Sequence, residues 1–150
     1  MSFARTTILA GLLSGGGAAG WTLFEYAMGW HNERLEIGAI TGFVGLVFPI
    51  LAIVLALRSL RRDAGGVLSW RTALAAGLAI SAISAAIGFV FFRTYYSVIN
   101  PQFVTAMRAR GQAVDVDAQL AAVVAGSFVV GLLITVTTAL IMRRRGSPVR

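Results

Sequence analysis

The sequence predicts an all-α, polytopic membrane protein: a bundle of four transmembrane helices with both termini in the cytoplasm. Of its 150 residues, 57% are apolar and 13% are charged, whereas soluble domains carry about twice that charged fraction. Charged residues bound four uncharged stretches. Each stretch has about 20 residues or more, which is the length of helix that crosses a ~30 Å hydrocarbon core. Arginines are concentrated on one side of these stretches, as in cytoplasmic loops.

The uncharged stretches define four spans within a single transmembrane domain, residues 1–150. Helices are required because the bilayer core offers no partner to an unpaired backbone group. The first stretch has an alternative interpretation as a secretory signal peptide, because Arg5 precedes a short apolar run and the small residues Ala18–Gly20. The apolar segment continues to Phe24, which favours a retained helix. The stretches cover residues 6–24, 37–57, 72–92 and 118–142, and the spans are predicted at about 6–29, 36–58, 71–96 and 118–142.

The distribution of arginine orients the spans. All 13 cationic side chains are arginines, and an excess of cations marks the cytoplasmic side. With the N-terminus inside, the inner segments hold more than twice as many arginines as the outer segments. The inner set is Arg5, Arg58, Arg61, Arg62, Arg71, Arg143, Arg144, Arg145 and Arg150, and the outer set is Arg34, Arg93, Arg108 and Arg110.

A short helix is predicted in the outer connection between the third and fourth spans. Asn100–Pro101 is typical of an N-cap followed by proline at the first helical position. Apolar residues between Phe103 and Met107 recur at helical spacing, and Gly111 can end the helix. We expect this helix to lie near the outer membrane surface.

Turn and cap residues are expected at two further places. Asp63–Gly66 is typical of a turn and lies in the inner connection between the second and third spans. Either Asp115 or Asp117 is expected to cap the start of the fourth span, because a carboxylate accepts hydrogen bonds from the free N–H groups there.

Small residues are expected to join the helices. Lipid tails are as apolar as leucine, so close backbone approach rather than hydrophobicity brings helices together in a bilayer. The first two spans contain glycine pairs four residues apart, and this content favours a compact intramolecular bundle. A homodimer through a glycine face, or another membrane protein as partner, is the alternative. The pairs are Gly11 and Gly15, Gly16 and Gly20, and Gly38 and Gly42.

Pro49 lies in the middle of the second span. It has no N–H to donate to the carbonyl of Gly45, so a helix kink is expected there. A freed carbonyl near the midplane can contribute to an ion or substrate site. Prolines are also tolerated in membrane helices without a function, and both interpretations stay open.

Glu25 is the one acid within an otherwise apolar span, and such residues are candidates for function. At 1.5 Å per residue it lies ~28 Å along the helix from Thr6, near the outer headgroups. Its spacing from Gly11 and Gly15 directs it toward the small, close-packing face of that helix.

The surroundings of Glu25 have two interpretations. Arg93 has a similar depth and offers an ion pair, although Tyr95 rather than Arg93 continues the small face of the third span. In the first interpretation, Glu25 has a structural role, either in an ion pair with Arg93 or as acceptor of a hydrogen bond from Tyr95. The alternative is a binding cavity open to the outside, lined by Glu25, His31, Arg93 and Tyr95.

Several classes of function lack their residues. The chain has no cysteine and one histidine, His31, so no metal or cofactor site is predicted. The arginines flank apolar runs and form no continuous stripe, so membrane lipids rather than nucleic acid are the expected partners. No pairing of a nucleophile with a base indicates a catalytic residue.

The order of these features resembles a known family. The chain is similar to the domain-of-unknown-function family 4199, whose members are small bacterial membrane proteins with four predicted helices. Arg71 stands where that family commonly has lysine. The resemblance implies a multi-pass protein of the bacterial inner membrane with no assigned activity. It rests on Phe24–Glu25–Tyr26, on the segment from Arg62 to Arg71, on Tyr95–Tyr96 and on the segment from Ile99 to Phe103.

Three functional hypotheses follow. The first is a non-enzymatic membrane component or partner subunit, because the helices are rich in packing residues and the midplane lacks a polar set. The second is a small-solute or ion transporter acting as a homo-oligomer, with Glu25 in a polar cavity and a kink at Pro49. The third is an enzyme that modifies lipid headgroups through Glu25, His31 and Arg93.

Overall fold

A computed structural model describes residues 2–144 of the chain, with side chains described through residue 142. All regular structure in this part of the chain is helical. The predicted inner residues Arg145 and Arg150 lie outside it, as do the side chains of Arg143 and Arg144. The elements are α1 (Phe3–Ala27), α2 (Leu35–Thr41), a 3-10 turn (Gly42–Leu46), α3 (Val47–Asp63), α4 (Trp70–Thr94), a π turn (Tyr95–Ile99), α5 (Gln102–Ala109) and α6 (Val116–Arg144).

Four continuous helical segments are long and apolar enough to cross a membrane. The second joins α2, the 3-10 turn and α3, and the third joins α4 to the π turn. The prediction of an all-helical chain with four membrane-length segments is confirmed, while the orientation of the termini stays a prediction. The segments are Phe3–Ala27, Leu35–Asp63, Trp70–Ile99 and Val116–Met142.

The four segments form a bundle with two unlike ends. Helix α4 packs most extensively against α6 and α1, α1 also packs against α3, and α3 packs against α6. The arginine end contains the start of α1 and the turn between α3 and α4. The α5 end contains the α1–α2 loop, the π turn and α5. Neither α2 nor the 3-10 turn packs substantially against α6.

The buried apolar core lies mainly toward the arginine end. It combines side chains of α3, such as Ile53 and Leu57, with small residues of α4, such as Ala73 and Ala76. Large apolar side chains elsewhere point outward, including Ile40, Phe43 and Leu133. Such an exposed apolar surface is what a bundle in lipid presents to the acyl chains.

Close helix contacts occur where glycine removes a side chain. A Cβ added at Gly11 would lie 2.6 Å from the Cβ of Ile83, and one at Gly77 would lie 2.8 Å from the Cβ of Thr135. These two glycines bring α4 against α1 and against α6. Gly16 and Gly20 differ, because nothing lies within 4 Å of a Cβ added at either position.

The turns and caps follow the sequence in most places. Gly65 and Gly66 have positive φ angles of 71° and 94° after the end of α3, a conformation that glycine adopts without strain. Asp115 caps α6, because its Oδ1 accepts from the backbone N–H groups of Asp117 and Ala118 at 2.9 and 3.4 Å. Of the two predicted candidates, Asp115 is therefore the cap.

The prediction that Asn100 caps the helix after it is wrong. Helix α5 begins at Gln102, and its N-cap residue, Pro101, makes no side-chain capping bond. The side chain of Asn100 is buried and donates to the Tyr95 hydroxyl instead. Helix α5 occupies the predicted segment and is followed by Gly111 with a φ of +78°.

The second span is irregular beside Pro49. The 3-10 turn over Gly42–Leu46 includes Gly45 and ends where α3 begins, two residues before the proline. Proline lacks the N–H that would bond to the carbonyl four residues earlier. A break in regular α-helix therefore lies at the place where the sequence predicts a kink.

Replacing Gly77 with alanine tests the packing of α4 against α6. The added Cβ would overlap the Thr135 side chain, so we expect Gly77→Ala to lower the free energy of unfolding by about 1–3 kcal/mol. Unfolding in mixed detergent micelles, followed by circular dichroism, measures this. Gly20→Ala is the matched control, since it meets no neighbour, and equal stability of the two variants would contradict the packing.

Candidate functional site

Glu25 is buried at the α5 end, with 2% of its surface exposed. It lies in the last turn of α1, and the chain reverses directly after it. Gly29 has a φ of +75°, which favours glycine, and its carbonyl accepts from Glu33 N at 2.9 Å. The backbone N–H of Trp30 donates to the carbonyl of Glu25 at 3.0 Å. The loop is thereby folded back over the carboxyl group.

Two side chains hold the Glu25 carboxylate. Thr41 donates its hydroxyl to Oε1 at 2.5 Å, and His31 Nε2 lies 3.3 Å from Oε2. Trp21 fixes Thr41 in turn, because its Nε1 donates to the Thr41 carbonyl at 3.0 Å. Helix α2 is therefore attached to α1 through polar contacts at its last residue.

A second set of contacts extends from His31 to the third span. His31 Nδ1 lies 2.6 Å from the Tyr95 hydroxyl, and Asn100 Nδ2 donates to that hydroxyl at 3.1 Å. The same nitrogen of Asn100 donates to Asn32 Oδ1 at 3.0 Å. Tyr95 and Asn100 are 1% and 3% exposed. We call Glu25, His31, Thr41, Tyr95 and Asn100 the Glu25 network.

The π turn sets the position of Tyr95 and Asn100. Asn100 N donates to the carbonyl of Tyr95 at 2.7 Å, a bond that spans five residues. In an α-helix these residues would lie on different faces, because the repeat is 3.6 residues. The wider turn returns Asn100 to the side of Tyr95, as π turns commonly do at functional sites.

One tautomer of His31 satisfies the whole network. The amide of Asn100 donates to the Tyr95 oxygen, which leaves the Tyr95 proton to be donated to His31 Nδ1. Nδ1 is then the acceptor of a neutral imidazole, and Nε2 carries the hydrogen that faces Glu25. Burial lowers the pKa of His31 below its usual 6.5, although the Glu25 carboxylate opposes this shift. The neutral imidazole is therefore favoured.

Arg93 is not part of the network. Its Nη1 lies 3.6 Å from Asp117 Oδ1, and the two side chains are 62% and 89% exposed. The ion pair of Glu25 with Arg93 is therefore a wrong prediction, because Arg93 turns to the start of α6. Tyr95 is close as predicted, although it reaches Glu25 only through His31. In the part of the chain that the structure describes, no arginine forms an ion pair with Glu25.

A cavity of about 490 Å³ runs from the Glu25 network into the bundle. Glu25 and His31 lie at one end, and Ser81 and Gly131 lie toward the core. Most lining groups are apolar, with a few hydroxyls, of which Ser14 and Ser84 bond each other at 3.0 Å. Ser81 also lines the cavity, although its Oγ is buried against α6 and has no hydrogen-bond partner.

The cavity is present because one side of the bundle is incompletely packed. Gly42 of the 3-10 turn and Gly126 of α6 both line it, and nothing lies within 4 Å of a Cβ added at either residue. Pro49 and Gly45, the predicted kink residues, also line it. The irregular part of the second span therefore forms a wall of the cavity.

The sequence does not reveal several members of the site. Thr41, Asn100 and Ser81 are uncharged polar residues of kinds that usually bond to their own backbone in membrane helices. Their depth in the membrane, similar to that of Glu25, was the available signal for Thr41 and Asn100. Residue spacing alone does not show that these side chains contact one another. The described residues hold no cluster of three potential metal ligands.

The chain matches a known family over most of its length. A family described as "Protein of unknown function (DUF4199)" matches residues 9–144. The chain belongs to this family. The predicted resemblance to family 4199 is thus confirmed, and the match includes all of the Glu25 network. No curated protein and no solved structure matches the chain.

The protonation of His31 is directly measurable, because it is the one histidine of the chain. We expect its titration midpoint below 6.5, with the hydrogen on Nε2 at neutral pH. As pH falls, His31 is then protonated in the unfolded chain before it is protonated in the folded chain. The contribution of neutral His31 to the free energy of unfolding is therefore complete above about pH 6.5 and decreases as pH falls toward the folded pKa. Nitrogen NMR of isotope-labelled histidine measures the titration midpoint and identifies the nitrogen that carries the hydrogen. A midpoint above 6.5 would contradict the assignment.

Removing the Tyr95 hydroxyl tests the cohesion of the network. Tyr95→Phe leaves the His31 acceptor and one Asn100 donation without a partner, at a cost of about 1–3 kcal/mol in the free energy of unfolding. Tyr96→Phe at the next position leaves these bonds intact and serves as the control. If both variants unfold at the same detergent concentration, the network contributes no stability.

Proposed function

We propose that the protein is a non-enzymatic membrane component that binds a small organic cation with an apolar body in the cavity beside Glu25. One observation carries the proposal: a buried carboxylate, without a paired arginine among the described residues, lies at the end of a cavity of about 490 Å³. Ligand cavities commonly measure about 300–1,000 Å³.

The charge of the site favours a cation. Thr41 and His31 satisfy one lone pair on each oxygen of Glu25, but neither supplies a positive charge when the imidazole is neutral. At a separation of ~4 Å and an effective dielectric constant of about 20, a ligand cation would gain about 4 kcal/mol from the carboxylate before desolvation. The remaining lone pairs of the carboxylate can accept from an ammonium group.

The rest of the lining favours an apolar body on that cation. Trp21, Leu46, Ile53 and Phe92 are among the apolar side chains that line the cavity. Serine residues such as Ser81 and Ser127 are among the few polar residues of the lining away from Glu25. Few polar groups at fixed positions within an apolar cavity are typical of sites that bind and orient small amphiphilic molecules.

The same proposal includes a location. We assign the protein to the bacterial inner membrane as a multi-pass protein, with both termini in the cytoplasm and lipids as its immediate partners. The uneven distribution of arginine supports this orientation, and it puts the Glu25 network near the outer surface. Reporter tags on the two termini that respond from the periplasm would overturn the orientation.

A second candidate function is transport of the same cation by a homo-oligomer. The 3-10 turn favours it, because irregular backbone beside a cavity is a common place for substrate sites and movement in transporters. Four spans form a small enclosure, so a second copy would complete the path. Glu25-dependent flux into proteoliposomes, with co-purification of two differently tagged copies, distinguishes transport from binding.

The enzymatic hypothesis has less support from the geometry. It requires Arg93 beside Glu25 and His31 to hold a lipid headgroup, whereas Arg93 contacts Asp117 at the surface. The hydrogen bonds of His31 also connect two groups of the protein to each other. This arrangement resembles the support of a binding site more than a base directed at a substrate.

Binding is tested with a dansyl fluorophore joined by a short alkyl chain to a primary ammonium, added to the protein in lipid nanodiscs. We expect Glu25→Gln to weaken binding by about tenfold or more, since truncating a buried charge interaction costs about 2 kcal/mol or more. The matching dansyl alcohol, which lacks the charge, should bind the wild type more weakly by a similar factor.

Asp117→Asn is the matched control. It removes an acid at the same end of the bundle, but one that is exposed and paired with Arg93. We expect it to bind the ammonium probe like the wild type. Equal affinity of the wild type and Glu25→Gln for that probe would overturn the proposal.

A further inference from the structure

A second cavity of about 420 Å³ lies next to the first, between the α1–α2 loop, α2 and α5. Its lining includes Trp30, Glu36, Met107 and Arg110, none of which lines the first cavity. The cavity is at the α5 end and is bordered by exposed charged residues, so it faces the aqueous or headgroup side of the bundle.

The two cavities are separated by a thin wall. Three residues, His31, Gly38 and Phe103, line both of them. The rings of His31 and Phe103 have centroids 5.8 Å apart and are tilted by 56°. A Cβ added at Gly38 would lie 2.8 Å from the carbonyl oxygen of Trp30 and 3.2 Å from His31 Cδ2, so glycine lets α2 approach the loop there.

The two rings of the wall are held very differently. His31 is bonded to Glu25 on one side and to Tyr95 on the other. Phe103 belongs to α5, a helix of eight residues without a buried side chain, and is held by ring contacts with Tyr95 and Tyr96 of the π turn rather than by hydrogen bonds. Few buried contacts mean a low cost of local displacement. Movement of α5 would therefore carry Phe103 away from a fixed His31 and join the cavities.

The chemistry of the second cavity suits the same ligand. Trp30 and Phe103 contribute aromatic rings, and Glu36 contributes a carboxylate. Aromatic faces and a carboxylate together attract organic cations, because the ring quadrupole and the negative charge both favour a positive group. Arg110, on the connection after α5, also lines this cavity.

We infer that this second cavity is an entrance site for the organic cation, which then passes between His31 and Phe103 to reach Glu25. The inference rests on the proposed function. His31 is then a positioning residue. It holds the Glu25 carboxylate in the first cavity, and with Phe103 it limits the passage between the two cavities. The competing route is direct entry from the bilayer, where Gly42 and Gly126 face open space.

The test uses the absence of cysteine from the chain. Ala39 lines the second cavity and not the first, so Ala39→Cys introduces the one thiol of the variant at the entrance. A benzyl methanethiosulfonate reagent then attaches a bulky group as a disulfide, releasing sulfinate, and a reductant removes it. The protein is already folded at each stage, so the comparison is free of folding defects.

We expect the attached group to slow both binding and release of the dansyl ammonium probe by about fivefold or more, measured by stopped-flow fluorescence. Equilibrium affinity should change by less than about twofold, because an obstructed route alters the barrier and leaves the bound state unchanged. Reduction should restore both rates. Ala121→Cys, exposed on α6 and outside both cavities, should be unaffected by the same treatment.

A second variant works in the opposite direction. Phe103→Ala removes a ring from the wall and should raise both rates by about fivefold or more, which a loss of folded protein would not do. Unchanged rates in modified Ala39→Cys and in Phe103→Ala would overturn the inference and indicate entry from the bilayer. Binding that does not depend on Glu25 would instead overturn the proposed function.

Discussion

Burial of the Glu25 carboxylate is the constraint on which the α5 end of the bundle depends. A charge without partners in a low-dielectric interior costs several kcal/mol, and Glu25 meets that requirement through Thr41 and His31. Each partner has a partner of its own: Trp21 holds Thr41, and Tyr95 with Asn100 holds His31. The loop, α2 and the end of the third span are thereby connected to α1. These three elements are therefore positioned by the hydrogen bonds and contacts that the Glu25 carboxylate requires.

The two ends of the bundle are held by different forces. Toward the arginine end, small residues let backbones approach, and dispersion contacts accumulate between α1, α3, α4 and α6. At the α5 end, α2 has no fully buried residue and is fixed by the contacts of Thr41 and the loop. Hydrophobicity does not press helices together in lipid, so nothing forces α2 against α6. The cavity is the space that results.

The sequence predicts four apolar helices of membrane-crossing length, because length and hydropathy decide them, and it predicts part of the site. Glu25 points into the bundle as the glycine spacing indicates, and Tyr95 lies near it because it continues the small face of α4. The predicted ion pair of Glu25 with Arg93 is wrong, because two residues at a similar depth need not share a face, and Arg93 pairs with Asp117 instead. Thr41 and Asn100 could not be assigned, since their positions depend on the reversal at Gly29 and on the π turn.

The π turn over Tyr95–Ile99 has a consequence for insertions and deletions in this chain. It contains one residue more than an α-helical turn needs, and that residue brings Asn100 beside Tyr95. Removing one residue between Tyr95 and Asn100 would place them four residues apart, which in a regular helix is within about 40° on the same face. Adding one residue would instead move Asn100 by about 100° around the axis, so insertions into this segment are more restricted than deletions. Changes in length of either kind would be tolerated beyond α5, around Gly111, where the backbone is exposed.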